Sequence, residues 1–148
     1  MLESNQFDLK PTKGALTLFP NVNVIDCQLA DDQAGVLLAG DPLVIEDVAG
    51  DVIKVKKASA ASDKIFGCLA YSVKRNEYAA KDFVRVATDY CAMVCEASAA
   101  IAAGADVEID PATSKVETAS SGSVLGMALN KAGADGDLIP VLFKIVAA

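Results

Sequence analysis

Ala39-Gly40-Asp41-Pro42-Leu43-Val44-Ile45-Glu46 and, 64 residues further on, Ala103-Gly104-Ala105-Asp106-Val107-Glu108-Ile109-Asp110 are two versions of one phrase. Each opens on a glycine turn and runs into an apolar stretch with an acidic end, the signature of a strand entered from a tight turn. Two further pairs follow in the same order. Ile65-Phe66-Gly67-Cys68 matches Val124-Leu125-Gly126-Met127, and Lys81-Asp82-Phe83-Val84-Arg85-Val86 matches Gly136-Asp137-Leu138-Ile139-Pro140-Val141. The spacing between copies shrinks from 64 residues at Gly40/Gly104 to 59 at Gly67/Gly126 and 55 at Asp82/Asp137, so the second copy has the shorter loops, where length changes are tolerated. Chance matching of short apolar words is the competing explanation.

Alternation around these blocks supports strands. Ile53 and Val55 oppose Lys54 and Lys56, Val84 and Val86 oppose Arg85, Val107 and Ile109 oppose Glu108, and Ile139, Val141, Phe143 and Ile145 share one face. The stretch Glu96-Ala97-Ser98-Ala99-Ala100-Ile101-Ala102-Ala103 has helix-forming composition, but about eight residues do not hold a helix without strong packing, and a loop or single turn is expected. The expected fold is all-β: a small barrel or sandwich built from two related halves that close on one another, with an internal repeat over about 36–87 and 100–146 inside a single β-domain of 21–148. Residues 1–20 contain Pro11 and Pro20 and no sustained period. They read as an extended N-terminal arm that either lies on its own domain or reaches a neighbour, with Phe7, Leu9, Leu16, Leu18 and Phe19 as its apolar contact residues.

Composition narrows the chemistry. At 148 residues the chain suffices for one domain with a true core, and 53% hydrophobic against 22% charged residues is incompatible with general disorder. Thirteen basic against twenty acidic residues leave a net charge of −7, the wrong sign for a nucleic-acid partner. No apolar run approaches the roughly 18 residues of a membrane span and no signal-peptide pattern opens the chain, so synthesis in a cytosol is expected. Histidine is absent, which removes the commonest general base and metal ligand, and no nucleophile elbow, Walker loop or dinucleotide fingerprint occurs. No catalytic, cofactor-binding or metal site is expected.

Three features of the sequence are candidate sites. Cys91 and Cys95 would share a strand face with Met93, but only Cys27 and Cys68 remain to complete a zinc site, and buried thiols are the simpler reading. The carboxylates at turns, among them Asp31, Asp32, Glu46, Asp47, Asp110 and Asp137, lack a calcium-loop pattern and read as turn formers. Lys54, Lys56 and Lys57 read as a solvated strand face or as a rim contact to an acidic partner.

The run Gly40-Asp41-Pro42-Leu43-Val44-Ile45, the hairpin into Val52-Ile53-Lys54-Val55-Lys56-Lys57-Ala58 and the step Asp63-Lys64-Ile65-Phe66-Gly67 resemble phage capsid decoration proteins, also called head-stabilisation or structural cement proteins. Glu96 to Ala105, Val124-Leu125-Gly126-Met127-Ala128 and Leu138-Ile139-Pro140-Val141 are similar to the same pattern, so the resemblance spans about residues 35–146. It implies a non-enzymatic virion protein, made in the host cytoplasm and seated on the outer surface of an expanded head. There it would bind the major capsid protein and sister subunits, as a trimer in preference to a dimer, with the arm adding a strand to one of them. The first half is also similar to biotinyl and lipoyl carrier domains, but these need a lysine at a hairpin tip, where this chain reads Glu46-Asp47-Val48-Ala49-Gly50-Asp51.

Overall fold

The fold is that of a computed structural model, which describes residues 12–16 and 23–145. Ten strands account for its regular structure, and there is no helix among the described residues. Five form a first closed barrel: β1 (Val24–Leu29), β2 (Pro42–Ala49), β3 (Val52–Lys57), β4 (Gly67–Leu69) and β5 (Phe83–Ala87), in the order β1-β3-β2-β4-β5. The other five, β6 (Ala92–Ala97), β7 (Asp106–Asp110), β8 (Lys115–Thr118), β9 (Val124–Ala128) and β10 (Leu138–Phe143), close a second barrel in the equivalent order β6-β8-β7-β9-β10. Both barrels are antiparallel except for one parallel pair, β1 with β3 through Gln28↔Lys54 and β6 with β8 through Glu96↔Lys115.

The matched sequence blocks therefore sit on matched strands, and the all-β barrel expectation is correct. What differs is the closure. The halves do not share one barrel; each closes on itself, because each copy begins with a strand, β1 or β6, that lies upstream of the matched words and joins the last strand to the hairpin. Closure leaves only short stretches of open sheet edge, such as the part of β6 that β8 does not reach, and little edge remains for pairing with other chains.

Hydrogen bonding repeats as well. Leu37 and Tyr78 exchange backbone bonds of 2.8 and 3.0 Å, and Ile101 and Ala132 exchange bonds of 3.0 and 2.9 Å at the same place in the second barrel. Gly67 and Gly126 are glycines for one reason: a Cβ at either would run into the carbonyl of the neighbouring strand, Ala87 or Leu142. The alanine-rich segment ends up as strand β6 and a loop, since Ala97 N–H donates to Asp137 and Ser98 N–H to Val116. A helix preference of a few tenths of a kcal/mol per alanine does not compete with a strand bonded on both sides.

Two cores result. Leu29, Leu37, Leu43, Val55, Leu69, Val84 and Val86 fill the first barrel. The second core, built around the fully buried Phe143, Met93, Leu125 and Ile139, also takes in Ala58, Ile65, Cys68, Ala70 and Ala87 from the first barrel. The two barrels are thus joined through continuous apolar packing. Polar bonds frame the junction: Ser114 Oγ donates to the buried Asp41 Oδ1 at 2.6 Å, and Ser123 N–H donates to the Ala61 carbonyl at 2.9 Å.

Candidate interaction surface

Residues 12–16 are the part of the expected arm that is described, and they lie on their own chain. Gly14 N–H donates to Val94 O at 2.8 Å and Val94 N–H to Ala15 O at 2.9 Å, so the segment adds to the outer side of β6, with Leu16 paired to Met93 and packed on the core. Val94 is free to do this because Val94 and Pro140 form a non-hydrogen-bonded pair of the antiparallel ladder, so the N–H and C=O of Val94 both point away from β10. Gly14 O accepts from Tyr71 N–H at 2.9 Å, and Lys13 pairs with Glu96 at 3.5 Å, so the segment touches both barrels. Phe7, Leu9, Leu18 and Phe19 lie outside the described residues.

The four cysteines are free and buried, Cys27 in the first core and Cys68, Cys91 and Cys95 in the second. Burial pushes the Cys95 thiol up to about 12, that of Cys27 to about 11, and that of Cys68 well above its usual range. A metal binds the thiolate, which these surroundings disfavour. Among the described residues no three cysteines and carboxylates group as metal ligands.

The turn carboxylates hold backbone. Asp137 Oδ2 accepts from Gly133 and Ala134 N–H at 2.7 and 3.2 Å, and Asp63 Oδ2 accepts from Ser59 and Ala60 N–H at 2.8 and 3.1 Å. Glu108, on a matched strand but buried, caps a loop by accepting from Gly122 N–H at 2.6 Å and Ser120 N–H at 3.1 Å. These bonds, that of Ser120 foremost, hold its carboxyl below the usual carboxylate value. The three lysines are engaged internally: Lys54 with Asp31 at 3.2 Å, Lys56 with Glu46 at 3.4 Å and Lys57 with Asp41 at 3.9 Å. That favours the solvated strand face over a rim contact.

A different surface stands out, one that sequence reading missed. Exposed large apolar side chains are more numerous on the first barrel, with Val36, Leu38, Ile45, Val48, Tyr71, Val73 and Phe83, against Leu129 and Tyr90 on the second. The duplication provides the control. Val36 and Leu38 flank the buried Leu37, whereas the equivalent flanks of Ile101 are Ala100 and Ala102. Ile45 is 48% exposed and its counterpart Ile109 only 2%. Ile45 lines a cleft with Ile65 and Phe66, with Lys64 beside them. The same barrel topology is thus built twice, once with more exposed apolar side chains and once with fewer, so barrel closure does not demand them. Contiguous apolar surface marks interaction sites, and the Ile45 cleft is the stretch where such residues adjoin. The signal in the sequence was available: in the matched copies, the large residues Val36 and Leu38 stand where the second copy has alanine.

No protein-family model matches the sequence, and no curated protein matches it. Among solved structures, the chain is similar to the N base of head fiber gp8.5 of bacteriophage phi29, at 15% sequence identity and a TM-score of 0.53. The likeness covers 82% of this chain and 94% of that one, more than either barrel alone. At this identity, what the two chains share is a fold.

Proposed function

We propose that this protein is a structural protein of a phage head, a decoration or cement protein that binds the outer surface of the major capsid lattice and stabilises the mature virion without catalysing a reaction. The observation that carries this reading is the fold likeness to the base of a head fiber over nearly the whole of that chain. The resemblance of the duplicated strand blocks to capsid decoration proteins points the same way, and the apolar surface of the first barrel is suited to a protein partner.

The mechanism is linkage. A protein that binds only the expanded lattice stabilises it by mass action, and many copies per particle multiply a modest affinity at each site. The major capsid protein is the main partner, with sister subunits forming a trimer in preference to a dimer. Purified protein mixed with undecorated, expanded heads of its phage is expected to bind saturably, at a fixed ratio per capsid hexamer. Absence of binding to expanded heads would sink the reading.

A further inference from the structure

The two barrels also differ in one loop, and the hydrogen-bond frame shows by how much. Ala70 N–H donates to Arg85 O at 2.8 Å, as Leu129 N–H does to Pro140 O at 2.9 Å, and Tyr78 pairs with Leu37 as Ala132 does with Ile101. Between these fixed points the second barrel has Asn130 and Lys131, while the first has the seven residues 71–77. The connection needs two residues, so five are surplus to barrel closure.

The surplus residues are ordered. Ser72 pairs with Arg75 across a miniature hairpin, and Lys74 N–H donates to Ser72 Oγ at 3.2 Å. Arg75 pins its base: Nε–H donates to Glu77 O at 2.9 Å, Nη2 is ion-paired to Asp82, and the guanidinium lies 5.2 Å from the centre of the Tyr78 ring. Tyr78 O–H in turn donates to Arg75 O at 3.3 Å. At the tip stands Val73, 86% exposed, followed by Lys74, which has no carboxylate partner among the described residues.

Such a tip is unnecessary for the barrel. Its ordering entropy is already spent, which is the condition under which a small apolar anchor contributes most to association. It also places a positive charge beside that anchor on a chain of net charge −7. An apolar pocket rimmed by carboxylates is the complement of valine followed by an unpaired lysine.

We propose that the hairpin of residues 71–77 is a docking key, inserting Val73 into an apolar, carboxylate-rimmed pocket of the major capsid protein. This rests on the capsid-binding reading above. The test measures binding of the full chain to expanded heads, for wild type, Val73→Ser, Lys74→Glu and a variant with 71–77 replaced by Asn-Lys. Leu129→Ser, on the second barrel, serves as the exposed apolar control, and far-UV circular dichroism checks folding of each. Val73→Ser is expected to weaken binding about tenfold and the shortened loop at least as much, as truncation of an anchor does. Lys74→Glu is expected to weaken it about fivefold at low salt, with the difference from wild type shrinking as salt rises. Leu129→Ser should bind like wild type. Wild-type binding that persists unchanged in folded Val73→Ser and Lys74→Glu overturns the docking key and leaves the capsid reading standing. Failure of the wild type itself to bind overturns the capsid reading and, with it, the partner named here.

Discussion

Gly126→Ala is the sharpest test of the strand register. A Cβ at Gly126 would stand 2.8 Å from the Leu142 carbonyl carbon and 2.9 Å from Phe143 Cα, and closer still to the Leu142 oxygen. Carbon atoms rest at about 3.5 Å or more, so β9 and β10 must part by at least about 0.7 Å where Gly126 faces Phe143. The neighbouring bond from Lys144 N–H to Leu125 O, now 3.0 Å, would pass beyond hydrogen-bonding distance, and the fully buried Phe143 would be dragged from its seat. One or two lost bonds at about 1 kcal/mol each, with about 1–3 kcal/mol for overpacking, give a loss of about 3 kcal/mol. For a chain of this length that corresponds to a fall in Tm of about 6–12 °C. Urea unfolding followed by far-UV circular dichroism measures it, since the chain has no tryptophan. Gly67→Ala should behave alike, because its Cβ meets the Ala87 carbonyl and Val86. Gly133→Ala is the control: its Cβ would stand 3.4 Å from Asp137 Oδ2, an ordinary contact, so stability should change by less than about 1 kcal/mol. A Gly126→Ala protein within about 0.5 kcal/mol of wild type would refute the close β9–β10 approach.

Three more expectations follow from particular residues. Lys81 holds a φ of 70° where the second copy has Gly136 at 92°, and both N–H groups bond equivalent carbonyls, so Lys81→Gly is expected to stabilise by about 0.5–1 kcal/mol in the same urea assay. A destabilised variant would show that the two corners are not equivalent. Glu108 has its carboxyl lowered from the ordinary 4.5 by loop amides, so the stability it contributes is full above pH 4.5 and is lost as pH falls below it. Glu108→Gln should therefore be less stable by about 2 kcal/mol at neutral pH, with the gap to wild type narrowing in acid; a gap that stays constant down to pH 3 counts against the cap. The buried thiols should react slowly with Ellman's reagent at pH 8 in the native protein and at all four positions in denaturant. A single fast thiol in the native state would contradict their placement in the cores.

The sequence alone determined the strands and their duplication. Alternation at Val84-Arg85-Val86 or Val107-Glu108-Ile109 and the glycine turns before them are local signals, and matched glycines at 67 and 126 mark the same close crossing twice. The tertiary structure alone decided the closure. The parallel pairs that complete each barrel join β1 to β3 and β6 to β8, and backbone partners brought together across an intervening strand leave no trace in local periodicity. Exposure was decided there as well. Ile45 and Ile109 occupy the same place in the repeated phrase, yet one lies open beside a bulge in β2 and the other belongs to the core that runs through the junction. A side chain's burial depends on what packs over it from the rest of the chain, and no local pattern of residues records that.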